Sequence, residues 1–267
     1  MRSIPRGISS LFETRNGGFP VTFKKDLLTV NIYDTRAQMG LHAAEDIAAC
    51  MRNLLSGKES INMCFAAAPS QNDVLESLLS MPLPWDRVNA FHMDEYVGLK
   101  KEDKQSFGYY LDEHIFKKVP FKAVYYVADY GLDYAKCLEE NPFDIMCLGI
   151  GENGHIAFND PGVADFSDPL RIKLAKLDDV CRMQQVHDGC FPTFDDVPEY
   201  AYTLTVPQMV SAEYMFCVVP AATKADAVYN TLNLDVTDQC PATILRTHEN
   251  AFLYCDADSA AKLPKEV

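Results

Sequence analysis

Short apolar runs alternate along this chain with longer segments of helical period, the pattern of a parallel sheet whose crossovers are helices. Runs at 61–67, 88–93, 123–127, 145–150 and 214–219 are mainly apolar with little alternation, as strands buried on both faces require. Between them the spacing predicts helices over 72–79, 106–115, 132–139 and 222–232. An earlier helix starts near Asp34-Thr35, which can cap it, and carries Ala43, Ile47, Met51 and Leu54 at helical spacing. The predicted fold is α/β: an open, mainly parallel, Rossmann-like sheet with helices on both faces. In such a sheet ligands gather beyond the carboxyl ends of the strands. Three turns there become candidate site segments: Ala67-Ala68-Pro69-Ser70-Gln71, Asp94-Glu95-Tyr96-Val97-Gly98 and Gly149-Ile150-Gly151-Glu152-Asn153-Gly154-His155.

A chain of 267 residues with 48% hydrophobic content can bury one large core. No Pro/Gly/Ser-rich tract, charge block or internal repeat marks a linker, so one domain over 1–267 is expected. The balance of 24 Lys+Arg against 38 Asp+Glu gives a formal charge of -14, which repels nucleic-acid backbones and anionic lipid surfaces. Neither is an expected partner, and an anionic substrate has to be held by local donors against that field. The nine cysteines form no C-x-x-C pair, and several sit inside apolar runs (Met63-Cys64-Phe65, Met215-Phe216-Cys217) as small buried hydrophobes. That usage suits a reducing compartment. The first 18 residues carry no continuous apolar signal region, and no stretch reaches membrane-spanning length, so a cytoplasmic location is expected.

Adjacent residues at a strand end point in different directions, so Asp94 and Glu95 should have different jobs. A carboxylate beside a substrate can act as a general base if its surroundings raise its pKa; the alternative is a helix N-cap with a solvated neighbour. The Gly149–Gly154 turn has G-x-G-x-x-G form, and its backbone N–H groups, that of Gly151 among them, can approach an anion closely. As a dinucleotide signal it is weak, because the chain continues into His155-Ile156-Ala157-Phe158-Asn159-Asp160, which reads as extended chain and not as a helix. The turn instead presents His155, for acid/base chemistry or in a structural role. No H-x-x-x-H or H-E-x-x-H pair joins His92 and His155, and no metal is expected. Ser70, Ser106 and Ser211 lack a nucleophile-elbow context. Lys224 falls at a predicted helix start, the end that disfavours cations, unless lysine and helix together hold a phosphate; a solvated lysine is the alternative.

Together these segments resemble the glucosamine-6-phosphate deaminase (isomerase) family, which shares a fold with 6-phosphogluconolactonase. The resemblance runs from about the first helix to Asp256. It is most specific at Phe-His-Met-Asp-Glu-Tyr-Val-Gly-Leu (91–99) and Gly-Glu-Asn-Gly-His-Ile-Ala-Phe-Asn-Asp-Pro (151–161), with Tyr-Ala-Tyr-Thr-Leu-Thr-Val (200–206) and Thr223-Lys224-Ala225 in support. It implies conversion of glucosamine 6-phosphate and water to fructose 6-phosphate and ammonia, without metal or organic cofactor, on a small-molecule sugar phosphate. A homo-oligomer is compatible with it. By position, Asp94 matches the proton-transfer base with Glu95 in support, His155 the ring-opening histidine, Lys224 a phosphate-binding lysine, and Ala67, Ala68, Ser70 and Gln71 the phosphate turn. The chain departs from the family where an aspartate and a glutamate flank the histidine: Asn153 and Asp160 stand there, the amide able to accept a hydrogen bond from the ring and Asp160 shorter by one methylene. The phosphate turn keeps one hydroxyl, Ser70, and the family's phosphate arginine aligns ambiguously, leaving Arg182, His187 and Arg246 as candidates. A 6-phosphogluconolactonase or simple aldose-ketose isomerase, and a non-catalytic sugar-phosphate sensor, are the competing functions.

Overall fold

The apolar runs take the central places of a sheet in a computed structural model that describes residues 20–187 and 189–264. The first 18 residues and both ends of the expected domain lie outside the described residues. The strands are β1 (Val21–Lys25), β2 (Leu28–Tyr33), β3 (Ile61–Phe65), β4 (Val88–His92), β5 (Asp94–Tyr96), β6 (Ala123–Tyr125), β7 (Ile145–Leu148), β8 (Ile172–Lys176), β9 (Tyr200–Leu204), β10 (Tyr214–Val219) and β11 (Ala251–Asp256). Eight of them form one sheet in the order β1-β2-β11-β10-β7-β3-β4-β6. Its pairs are parallel except β1 with β2.

Strands of a sheet covered on both sides must be apolar on both sides, and these are. In β3, Ile61, Met63 and Phe65 enter one core while Cys64 enters the other. The first core lies under α1 (Arg36–Leu55) and α2 (Asn72–Leu79), with α3 (Phe107–Leu111) closing one side. After the short turn α4 (Val127–Tyr130), the helix α5 (Tyr134–Glu140) covers the opposite face. Beyond α6 (Asp179–His187), that face is completed by α7 (Val206–Val210) and α8 (Ala225–Asn233). The predicted mainly parallel sheet with helices on both faces is the observed fold. No helix among the described residues is long and apolar enough to cross a membrane. The nine cysteines are free thiols, most of them buried.

The differences from the sequence expectations fall at element ends. Predicted strands 61–67, 88–93 and 145–150 end at Phe65, His92 and Leu148, and the surplus residues Ala66, Ala67, Met93, Gly149 and Ile150 bend out to line a cleft. The helix expected over 106–115 stops being α-helical at Leu111 and continues as a π-helical turn, Asp112–Phe116. The chain after His155 is not extended but closes a turn through an Ile156–Asn159 bridge. A second, antiparallel sheet, β5-β9-β8, has no counterpart among the apolar runs, because Asp94 and Glu95 in β5 and Lys173 and Lys176 in β8 interrupt them.

Thr35 caps α1, its hydroxyl accepting from the Gln38 N–H at 3.2 Å. One turn on, α1 presses against α2: a Cβ on Gly40 would lie 2.5 Å from the Asp73 Cβ. Alanine gains about 1 kcal/mol over glycine in a helix interior, whereas overpacking costs about 1–3 kcal/mol, and contact with a Cβ and a main-chain carbon leaves little room to relax. Gly40→Ala is therefore expected to lower stability by about 1–2 kcal/mol in urea unfolding, against the propensity scale.

Candidate active site

Strand order reverses between β3 and β7: β4 and β6 lie to one side, β10 and β11 to the other. Turns leaving the carboxyl ends on either side of such a point diverge and leave a crevice. Here it is lined by Ala67, Ala68 and Ser70 after β3, Asp94 after β4, Gly151 and His155 after β7, and Lys224 after β10. The three candidate turns and Lys224 thus meet in one cleft.

Asp94 and Glu95 point to opposite sides of β5, as pleating demands. Asp94 lines the cleft and is 7% exposed; burial pushes its carboxyl well above the usual range, and the Glu95 charge adds to this. Glu95 is fully buried behind it and accepts three backbone N–H groups, from Tyr96 at 3.0 Å, Phe107 at 3.1 Å and Gly108 at 2.9 Å. Burial pushes Glu95 up to about 7, those three donors holding it down from higher. Its carboxylate anchors the start of α3, whose cap hydroxyl, Ser106, accepts from the Tyr109 N–H. Neither carboxyl is solvated and the cap residue is Ser106, so the alternative of a helix N-cap with a solvated neighbour does not hold; Glu95 anchors a helix start and does not reach the cleft. His92 is sealed beneath: Nε2 accepts from the Val127 N–H and burial lowers the imidazole to about 3.

The ring of His155 lies against the main chain of Gly151, where a Cβ would fall 2.1 Å from Cε1 and 2.2 Å from Nε2. Gly151 therefore serves the ring's seat as much as any anion. The Gly151 N–H donates to the His155 carbonyl at 2.9 Å and closes the loop, while Gly154 turns it at φ 87°. Behind the ring, His155 Nδ1 is 2.8 Å from Asp160 Oδ1, with the imidazole rotated off the line of a hydrogen bond. The short carboxylate at 160 does reach the histidine.

Asn153, expected to accept a bond from the ring, instead accepts the His155 backbone N–H at 3.0 Å. Its amide donates to Asp160 Oδ1 at 3.0 Å and to Asp178 Oδ2 at 3.3 Å. An amide is needed there, since a carboxylate would face two others. Burial pushes Asp160 up, but the adjacent His155 ring, then bonds from Asn153 and Cys181, outweigh it and hold the group below its usual range. His155, Asp160 and Cys181 place nitrogen, oxygen and sulfur atoms within 4.8 Å of one another. Burial and the adjacent Asp160 raise the Cys181 thiol well above its usual range, so the protonated sulfur can donate toward Asp160.

In the first turn, Gln71 is buried and does not line the cleft; its amide donates to Ser70 Oγ at 3.0 Å and to the carbonyls of Leu148 and Val218 at 3.3 Å each. It fastens the ends of β7 and β10 and holds the Ser70 hydroxyl. Lys224, 8% exposed, sits just before α8 and lines the cleft with Ala221 and Thr223. The three candidates for a phosphate cation are elsewhere. Arg182 donates to the carbonyls of Phe194 at 3.0 Å and Val197 at 2.8 Å and stacks on the Phe194 ring. Arg246 is buried against Asp26, and His187 is exposed, 4.0 Å from Glu152. The segment from 181 to 187 offers Gln184 and Gln185 to the cleft instead. The cleft-lining arginine is Arg36, at the first position of α1, which sequence reasoning missed. The signal was there: the cation-at-a-helix-start rule that singled out Lys224 applies equally to Arg36.

Residues 34–254 match the family described as glucosamine-6-phosphate isomerases/6-phosphogluconolactonase. Glucosamine-6-phosphate deaminases of Bacillus cereus (strain G9842) and Bacillus thuringiensis (strain Al Hakam) are each 31% identical over 241 residues, covering 88% of this chain and 87% of theirs. Among solved structures, a monomeric glucosamine-6-phosphate deaminase superposes with a TM-score of 0.79 at 23% identity, over 87% of this chain and 98% of its own. The 6-phosphogluconolactonase of Thermotoga maritima gives 0.70 at 19% identity, over 86% and 99%.

One cleft residue is held in a backbone region that only glycine visits freely: Ala221, at φ 82° and ψ 148°. Its N–H lies between both oxygens of buried Asp256, at 3.2 and 3.1 Å, which fixes the peptide in place. Relief of about 1–3 kcal/mol of strain exceeds the roughly 0.5–1 kcal/mol entropic cost of glycine. Ala221→Gly is expected to raise stability by about 1 kcal/mol, read as a higher urea midpoint at unchanged slope.

Proposed function

The chain belongs to the family of glucosamine-6-phosphate isomerases and 6-phosphogluconolactonases, and from that membership we propose that it converts glucosamine 6-phosphate and water to fructose 6-phosphate and ammonia. The observation that carries the deaminase reading is the cleft itself: a buried carboxyl, Asp94, and a seated histidine, His155, face the same space as Ser70 and Lys224. Lactone hydrolysis has a use for the histidine but no carbon-bound proton for Asp94 to move. Isomerisation uses both.

In the proposed mechanism His155 exchanges a proton with the ring oxygen and opens the sugar, with the Asp160 carboxylate 2.8 Å behind the ring. Asp94 takes the proton from the second carbon of the open aldehyde, leaving an enolamine, and returns it to the first carbon. The imine so formed at the second carbon adds water and expels ammonia. A base for a carbon acid gains from a raised pKa, because it then binds the abstracted proton more firmly. Burial of Asp94 supplies that shift. Lys224 and the Ser70 turn hold the phosphate, and no step calls for a metal or organic cofactor. The domain proposed to do this spans the chain.

Asp94→Asn is expected to cut kcat for ammonia release about 10²–10⁴-fold. Hydrolysis of a 6-phosphorylated lactone by the parent, unchanged in Asp94→Asn and without any ammonia release from glucosamine 6-phosphate or its 4-epimer, would replace the deaminase with a lactonase. Absence of turnover on all of these would leave a sensor. Since Asp94 works ionised and its pKa is raised, the rate should fall as pH drops through a value above the ordinary aspartate range, 3.8, and level off above it. Gly151→Ala, whose Cβ would occupy the seat of the ring, should lower kcat/KM as much as His155→Gln does and add nothing to it in the double variant.

A further inference from the structure

We propose that Arg36 is the arginine that holds the substrate's phosphate, together with Lys224 and the Ser70 turn; this rests on the sugar-phosphate reading above. Among the described residues lining the cleft, Arg36 and Lys224 are the lysine and arginine side chains. A phosphate dianion approaching a chain of formal charge -14 needs local cations, and these are the two in place.

The guanidinium is built into the turn it would serve. Nε donates to Asp73 Oδ2 at 2.6 Å and Nη2 to the Pro69 carbonyl at 2.5 Å. Those two bonds fix the plane of the fork beside Ser70. Of five N–H groups they use two, and Nη1 makes no hydrogen bond to the described residues, so an edge of the fork remains for a second acceptor. Phosphate is the acceptor such an edge fits, by paired charge-assisted bonds. Asp73 orients the arginine without consuming that edge.

The backbone is shaped to allow this. Gly40 lets α1 lie against Asp73 at a distance that a Cβ would forbid, which carries the first residue of α1 to the turn after β3. A cation at a helix start is opposed by the helix dipole, and a bound anion between Arg36 and that helix end reverses the sign of the arrangement. The segment 181–187 cannot supply the charge, because Arg182 is spent on two carbonyls and an aromatic face.

The test is titration calorimetry of inorganic phosphate, with steady-state kinetics on glucosamine 6-phosphate, for the parent, Arg36→Ala and Arg36→Lys. Phosphate affinity should fall at least about tenfold in Arg36→Ala, and KM should rise by a similar factor and more than kcat falls, as loss of charge-assisted hydrogen bonds implies. Arg36→Lys, which keeps the charge and loses the fork, should lie between. If Arg36→Ala does not fold, by circular dichroism, the lysine variant alone decides by the same two measurements. Phosphate affinity and KM within twofold of the parent in the folded variants overturn the role of Arg36. A parent that neither binds phosphate nor turns over the sugar overturns the sugar-phosphate reading itself.

Discussion

The reversal of strand order between β3 and β7 is the constraint on which the rest depends. It leaves a crevice at the carboxyl edge of a sheet that is otherwise sealed on both faces, and backbone groups at that edge lose their ladder partners. Gln71 answers the deficit by giving one amide nitrogen to the carbonyls of both β7 and β10. The same nitrogen orients the Ser70 hydroxyl. Closing the sheet's open edge and preparing its pocket are one act, so a residue that looks like a ligand by position serves as a fastener by geometry.

Burial sets the chemistry within that crevice. Apolar side chains, Met93, Ile150 and Phe158 among them, line the cleft along with Asp94, and burial of its carboxyl favours the protonated form. Glu95 is buried equally but spends its oxygens on the start of α3. Two neighbouring carboxyl groups thereby meet different surroundings, one lining the cleft and one holding a helix start, separated only by the pleat of a three-residue strand.

The central sheet was legible because strands covered on both faces leave unbroken apolar runs, and β3, β4, β7 and β10 carry them. Strands β1 and β2 and the small sheet β5-β9-β8 were not, since polar residues such as Lys24, Asn31, Lys173 and Lys176 interrupt a short pattern. In the site, Asp94, His155, Ser70 and Lys224 were legible as polar residues following apolar strands. What stayed hidden were partners distant in sequence. Glu95 meets Gly108, Asn153 meets Asp178, and Arg182 meets the carbonyls of Phe194 and Val197. Spacing cannot reveal such contacts, because the turns that create them are made by the fold. Arg36 was hidden for a plainer reason: the candidate turns follow β3, β4 and β7, while this residue opens α1, which follows β2.

The amide at Asn153 also sets which changes this site can accept. With Asp160 and Asp178 both within reach of its nitrogen, an aspartate at 153 would crowd three like charges into one part-buried corner. Positions 153, 160 and 178 are therefore an epistatic set. A sequence moving from the Asn-Asp to the Asp-Glu form of the histidine's surroundings gains a carboxylate at 153 and keeps it, so the Asp178 charge has to be removed along the way. The order in which those substitutions are tolerated is written into a single hydrogen-bonded amide.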